Sequence, residues 1–181
     1  MNYRKLKIPS VIVMEPKIYK DERGFFYESF NENNFLKEVG IKINFVQDNH
    51  SFSKKNVLRG LHYQVQNTQG KIIRVTKGKI LDIAVDIRKS SETFGQWVGV
   101  ELSEKNNFQV WIPEGFAHGF YILSDEAEVM YKATNFYSPK DERSILWSDP
   151  SIGIDWGLKN VPIISTKDQE GLLLKDAEVF D

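Results

Sequence analysis

The 181-residue chain lacks cysteine, an excess of basic residues and long apolar runs. Without cysteine it forms no disulfide and offers no thiol nucleophile, which fits a reducing compartment. The formal net charge is −1, so no overall positive field attracts nucleic acid or an anionic membrane. No apolar run approaches the roughly 18 residues that a membrane span requires, and "VIVM" near the N-terminus is too short for a signal-peptide core. We therefore expect a cytoplasmic protein that binds neither membranes nor nucleic acid.

Short apolar segments separated by turns dominate the chain, and aromatic residues make up 13% of it. From residue 71 onward, strand-like segments follow one another with Gly, Asn and Asp between them. In "ILDIAVDIR" the apolar residues alternate with Asp82, Ala84 and Asp86, so one face of that strand is apolar. The length suits one domain over residues 1–181. This pattern predicts an all-β sandwich or barrel.

Helix is predicted only near the two ends of the chain. In "NENNFLKEVG", either Asn31 or Asn33 can cap the start, and Gly40 can end the helix. Before it, a short strand, a polar turn and a second strand beginning at Gly24 are expected. The last thirty or so residues have no clear period and are expected to be irregular, with a short helix.

The three histidines are the first candidates for chemistry. His118 ends a P-x-G-x-x-H pattern in "IPEGFAHGF", which resembles the second motif of the cupin family of small β-barrels. The region matching the first motif, "LHYQVQ", has His62 alone, so a three-histidine metal site would also need His50. Arg59 and His62 would point to opposite faces of an unbroken strand, but a bulge at Gly60 would bring them to one face.

Longer segments resemble the dTDP-4-dehydrorhamnose 3,5-epimerase family, in register from about Pro9 to Asp168. They are "DERGFFYESF", "FVQDNHSFSKKNVLRGLHYQ", "QGKIIRV", "IAVDIRKSSETFGQWVGVEL", "WIPEGFAHGF", "YKATNFYSP", "WSDPSIGIDW" and "STKD". The resemblance implies a cupin-type jelly-roll barrel with short peripheral helices. It also implies a homodimer that uses no metal and no organic cofactor.

The resemblance also assigns roles to individual residues. It implies that His62 is the general base, Tyr131 the general acid, Asp168 the carboxylate that orients the base, and Lys71 the cation beside the keto oxygen. The implied contacts with the nucleotide sugar are Arg23, Glu28, Gln47, Asp48, Asn49, Arg59, His118, Glu142 and Lys167. Tyr121, Tyr137 and Trp111 are interpreted as packing residues.

These residue types suit the implied reaction, which inverts C3 and C5 of dTDP-4-dehydro-6-deoxy-D-glucose in dTDP-L-rhamnose biosynthesis. The C4 ketone acidifies the hydrogens on C3 and C5, because removing either one gives an enolate. Histidine, with an unperturbed pKa of about 6.5, suits the base, and tyrosine, with a pKa of about 10, suits the acid. A lysine stabilises the charge on the enolate oxygen.

Three other functions remain open from the sequence. The chain could be a 3-epimerase, a 3,5-epimerase or a 3,4-ketoisomerase acting on another nucleoside-diphospho-4-keto sugar. It could be a metal-dependent cupin oxygenase, which metal analysis would detect. It could also be a non-catalytic sugar-binding β-sandwich, in which case His62, Lys71 and Tyr131 have no catalytic role.

Overall fold

Two antiparallel β-sheets form the body of the protein in a computed structural model that describes residues 1–181. The strands are β1 (Asn2–Lys5), β2 (Ile12–Glu15), β3 (Tyr19–Asp21), β4 (Gly24–Phe26), β5 (Gln47–Lys54), β6 (Leu58–Gln64), β7 (Lys71–Lys77), β8 (Lys79–Asp86), β9 (Trp97–Ser103), β10 (Gln109–Ile112), β11 (Phe116–Ile122), β12 (Glu126–Ala133) and β13 (Glu142–Ser144). The helices are α1 (Glu32–Val39), α2 (Thr166–Gln169) and a 3₁₀ turn at Leu174–Asp176.

The larger sheet has six strands in the order β1-β2-β10-β7-β12-β5, and the smaller has five in the order β13-β6-β11-β8-β9. Sequence neighbours are often separated within a sheet, as in a jelly roll. Strands β3 and β4 form a separate hairpin. The predicted fold class, all-β with short peripheral helices, is confirmed. No helix in the chain is long and apolar enough to cross a membrane.

Three apolar clusters hold these layers together. The largest lies between the two sheets and includes Ile73, Val110 and Phe120. A second covers the outer face of the five-stranded sheet, where the chain after β13 packs on it through residues such as Trp156. The third lies under α1, where the Phe35 ring meets Trp111 edge-on at 5.2 Å. Burial of these clusters supplies the main driving force for folding.

Helix α1 begins and ends as its sequence predicts. Asn31 is the N-cap, since its side-chain oxygen accepts a hydrogen bond from the Asn34 amide at 3.0 Å. Gly40 ends the helix in the left-handed conformation, with φ of 80°. The predictions missed the short strands β1 and β13, and they placed a turn where part of β3 lies. Such three- and four-residue strands carry too few residues to show a period.

Strand β8 turns its polar face inward. Ile83, Val85 and Ile87 belong to the outer cluster, covered by the C-terminal part of the chain. The alternate residues Asp82 and Asp86 are fully buried on the opposite face. The alternation is visible in the sequence. Which side faces the barrel interior is decided by the chain after β13, which packs on the apolar side of β8.

Candidate active site

A bulge at Gly60 places Arg59 and His62 on the same face of β6. His62 pairs with His118 of β11 and Arg59 pairs with Phe120, with the register shifting between them. His118 and Phe120 are two positions apart and point to the same side, so their partners do too. Phe120 belongs to the cluster between the sheets, and this side is therefore the barrel interior. The predicted bulge is confirmed.

Glycine is required at this bulge for two reasons. Gly60 has φ of +117°, which L side chains rarely adopt. A Cβ there would lie 2.5 Å from the Cα of Gly119 and 2.7 Å from the carbonyl oxygen of His118. Strands β6 and β11 therefore approach each other closely beside His62.

His62 forms a dyad with Asp168. The His62 Nε2 atom lies 2.6 Å from Asp168 Oδ1, and Asp168 Oδ2 accepts a hydrogen bond from the Gly60 amide at 3.1 Å. Burial opposes ionisation of Asp168, but the hydrogen bonds from His62 and Gly60 hold its pKa below the usual value. The carboxylate is therefore an acceptor, and Nε2 carries the proton. This leaves Nδ1 of His62 with a free lone pair.

Asp168 reaches the dyad because the C-terminal chain is anchored to β6. Ile163 donates its amide to the Asn56 carbonyl and accepts from the Leu58 amide at 3.0 Å. Ser165 then caps α2, accepting from the Asp168 amide at 3.2 Å. A tail carboxylate would ordinarily be solvated, yet Asp168 is only 3% exposed.

Tyr131 and Lys71 lie on the opposite sheet and also face inward. Tyr131 pairs with Ile73, and Lys71 pairs with Ala133, so both share the inner face with Ile73. The Lys71 Nζ atom is 5.9 Å from the centroid of the Tyr131 ring. Burial, followed by the charge of Glu142, raises the pKa of Tyr131. Tyr131 is therefore protonated at neutral pH and can donate a proton.

Lys71 is a buried cation without a direct partner. Its ammonium group takes part in no hydrogen bond or ion pair within 4 Å, while the whole residue is only 9% exposed. Burial lowers the pKa of Lys71 to about 8, against the opposing charges of Asp82 and Glu142. A cation that is left unpaired inside a barrel is available to an anionic group of a ligand.

A second histidine–aspartate pair lies beside the first. His118 Nε2 is 2.9 Å from Asp82 Oδ2, and both side chains are buried. The sequence predicts His118 as a ligand contact, whereas it shows Asp82 only as one polar position of an alternating strand. Its inward orientation depends on the C-terminal cover, which local sequence does not reveal.

Charged and polar side chains continue from the dyad toward the surface. Glu142 forms an ion pair with Lys167 and accepts a hydrogen bond from the Tyr137 hydroxyl at 2.7 Å. Burial opposes ionisation of Glu142, and these hydrogen bonds hold its pKa below the usual value. The sequence predicts a packing role for Tyr137, and this prediction is wrong, because the residue is about half exposed.

Other predicted contacts divide into two groups. Gln47 and Asn49 are on the inner face of β5, joined by a hydrogen bond of 3.0 Å, and Asn49 pairs with Tyr131. Asp48 points to the outer face, where Lys132 donates to it at 3.0 Å. The structure therefore does not bring Asp48 to the dyad, because successive strand residues alternate in direction.

Arg23 and Glu28, around β3 and β4, form no hydrogen bond or ion pair with His62 or Asp168. Arg23 is 86% exposed in its side chain and pairs only with Asp21, at 2.6 Å. Glu28 accepts a hydrogen bond from Asn31. The other two aromatic predictions hold, since Tyr121 and Trp111 are buried packing residues.

The three histidines do not converge on one point. His50 lies on the outer face of β5, 3.2 Å from Glu128, whereas His62 and His118 face inward with separate aspartates. No group of three or more His, Asp or Glu side chains is arranged to hold a metal ion.

Comparison with known proteins shows that the chain is similar throughout its length to one family of sugar-nucleotide epimerases. The model of the family described as dTDP-4-dehydrorhamnose 3,5-epimerase matches residues 5–176. A protein of that name from Shigella flexneri is 59% identical over 181 residues, covering 99% of each chain. A crystal structure of a dTDP-6-deoxy-D-glucose-3,5-epimerase from Legionella pneumophila, in complex with dTDP-4-keto-L-rhamnose, is 52% identical. It covers 98% of this chain and 94% of that chain, with a TM-score of 0.96.

A more distant structure differs in its described activity. It is a 3'-monoepimerase from Streptomyces bikiniensis in complex with dTDP-quinovose, 32% identical, with a TM-score of 0.89. It covers 94% of this chain and 87% of that chain.

Proposed function

Because the chain belongs to the dTDP-4-dehydrorhamnose 3,5-epimerase family, we propose that it inverts C3 and C5 of dTDP-4-dehydro-6-deoxy-D-glucose to give dTDP-4-dehydro-L-rhamnose. One observation carries this proposal beyond the family relationship. His62 and Tyr131 lie on the inner faces of opposing sheets, so a sugar ring between them would have a base on one side and an acid on the other.

The first step is removal of the C3 proton by His62. The free Nδ1 atom accepts the proton, and the resulting imidazolium is stabilised by Asp168 at Nε2. The electrons of the C–H bond form the C3–C4 double bond, and the C4 oxygen becomes an enolate. The unpaired Lys71 ammonium is suited to this oxygen, since a preorganised donor contributes about 2.7–4 kcal/mol.

The second step is return of a proton from the opposite face. Tyr131 donates its hydroxyl proton to C3 while the enolate collapses to the ketone, which inverts the carbon. The tyrosinate then regains a proton from solvent, and His62 loses its proton to solvent. Repeating both steps at C5 gives the doubly inverted product. Neither step changes an oxidation state.

Nucleotide binding is assigned to the polar groups nearer the surface. Arg59, whose Nε donates to Ser53 Oγ at 3.0 Å, is a fork-shaped donor suited to phosphate. Lys167, paired with Glu142, adds a second cation. The half-exposed ring of Tyr137, fixed through its hydroxyl, offers a face on which a base can stack.

We also propose that the active form is a homodimer. The β3–β4 hairpin pairs with no other strand, and it exposes Phe25 and Phe26, the latter by 73%. An exposed aromatic hairpin favours a protein partner. A second copy would cover it, and Arg23, which pairs only with Asp21 in its own chain, would then be free to reach the diphosphate bound by the partner. Sedimentation analysis of wild type and of Phe26→Ser tests this, and a wild-type monomer would contradict it.

Solvent deuterium exchange followed by NMR tests the reaction. The protein is mixed with dTDP-4-dehydro-6-deoxy-D-glucose in D₂O with EDTA, and His62→Ala serves as the inactive control. Deuterium at both C3 and C5 is expected. Deuterium at C3 alone would indicate a monoepimerase, and none at either carbon would contradict the substrate assignment. Stoichiometric metal in the purified protein, with activity lost in EDTA, would indicate the oxygenase alternative.

A further inference from the structure

The inward acidic face of β8 is the feature that the proposed mechanism leaves unused. Asp82 and Asp86 are both buried on this face, but their surroundings differ. Asp86 accepts hydrogen bonds from Arg88, Ser91 and Thr93, and these partners compensate the negative charge of its carboxylate. Asp82 has no arginine or lysine within ion-pair distance, and His118 is its side-chain partner.

Burying a carboxylate that has a single side-chain partner lowers the stability of the fold. A residue kept in such a position is a candidate for a functional role. Asp82 lies diagonally opposite His118 in the register of β8 and β11, since His118 pairs with Ala84. Asp82 and Lys71 also face the barrel interior from opposite sheets, since Asp82 pairs with Phe120 and Lys71 lies two positions from Ile73, and the Asp82 charge favours the protonated form of Lys71. Asp82 therefore acts on two inward-facing residues proposed to bind the substrate, His118 through a hydrogen bond and Lys71 through its charge.

We propose that Asp82 is a positioning residue, which fixes the ring of His118 and provides the counter-charge for the Lys71 ammonium. This rests on the proposed function, because Lys71 acts there on the enolate oxygen. Asp82 has no hydrogen bond or ion pair with His62 or Asp168. It acts through the two side chains that do the binding.

The other charged and titratable groups facing Lys71 cannot replace this charge. His62 already shares the Asp168 carboxylate, and Glu142 is committed to Lys167 and Tyr137. Arg59 and Tyr131 supply no negative charge at neutral pH. The titratable and charged groups that share the barrel interior with Lys71 are Asp82 (β8), His118 (β11), His62 and Arg59 (β6), Tyr131 (β12) and Glu142 (β13).

The test compares Asp82→Asn with Asp86→Asn, which removes a buried carboxylate from the same strand outside the site. For wild type, kcat/KM should fall as pH rises through about 8, where Lys71 loses its proton. In Asp82→Asn this fall should move about one pH unit lower, with kcat/KM at pH 7 reduced about tenfold. Asp82→Glu should restore much of the wild-type profile, and Asp86→Asn should keep it.

Unchanged profiles for Asp82→Asn and wild type would overturn the inference while leaving the proposed function standing. If wild type itself shows no turnover, the proposed function fails instead. Direct NMR titration of the Lys71 side chain in the free wild-type protein covers the case in which Asp82→Asn does not fold. A midpoint above pH 7 supports the counter-charge, and a midpoint below pH 7 overturns it.

Discussion

Asp168 Oδ1 lies 2.6 Å from His62 Nε2, although the two residues are 106 positions apart in the chain. The other carboxylate oxygen accepts a hydrogen bond from the amide of Gly60, and Gly60 is the residue at which β6 bulges. One side chain thus fixes both the tautomer of the histidine and the backbone that displays it. His62 and its strand are therefore positioned together.

Replacing Asp168 with Asn should reduce kcat by about 10²–10⁴-fold with little change in KM, because the amide favours the wrong histidine tautomer. Thermal unfolding should show a folded protein, since an amide oxygen can still accept from Gly60. Steady-state kinetics measures the effect. If Asp168→Asn retains near-normal kcat, His62 does not depend on this partner.

Replacing Tyr131 with Phe should separate the two proton transfers. The base remains, so recovered substrate should still gain deuterium from D₂O. Product formation should fall by about 10²–10⁴-fold, because the acid on the opposite face is missing. Time-resolved NMR reports both quantities in one sample. Equal loss of exchange and product would show that Tyr131 is also needed for deprotonation.

Replacing Lys71 with Met should lower activity and raise stability. Loss of the donor should reduce kcat by about 10²–10³-fold. The pKa of Lys71 is lowered to about 8 in the folded protein, from 10.5. The charged lysine therefore destabilises the fold at every pH below about 8, and this cost disappears between pH 8 and 10.5. At pH 7, Met should add up to about 3 kcal/mol to the free energy of unfolding.

Lys77→Met is the matched control for Lys71, because Lys77 is on the same strand but exposed and paired with Glu126. It should change stability by less than about 1 kcal/mol and leave kcat unaltered. Chemical denaturation at pH 7 and pH 10 measures both variants. A Lys71→Met protein less stable than wild type at pH 7 would contradict the predicted cost of burial.

Replacing Gly60 with Ala should cost more than about 1 kcal/mol of stability and most of the activity. The added Cβ would lie 2.5 Å from the backbone of Gly119, which would push β6 away from β11 and displace His62. Gly157→Ala is the control, since Gly157 also has a positive φ but no atom within 4 Å of the added Cβ. Gly157→Ala should keep full activity, and thermal melts with kinetics distinguish the two.

Much of the fold could be predicted from local sequence. The caps of α1 and the strand alternation depend on residues a few positions apart, so the pattern contains them. The bulge at Gly60 was also predictable, because a glycine between Arg59 and His62 permits a break in the strand alternation, and such a break places both side chains on one face. The short strand β13 was not, because its pairing with β6 depends on a distant segment.

By itself, the sequence determined the longer strands, the caps of α1 and the residue types, one histidine, one tyrosine and one lysine, that the proposed chemistry requires. Only the tertiary structure decided which side of β8 faces inward, since the C-terminal chain covers the apolar side and leaves Asp82 inside. It likewise decided that Tyr137 stays exposed while Asp168 is buried. Burial is a property of what packs on a residue, and alternation along one strand cannot say which face another segment will cover.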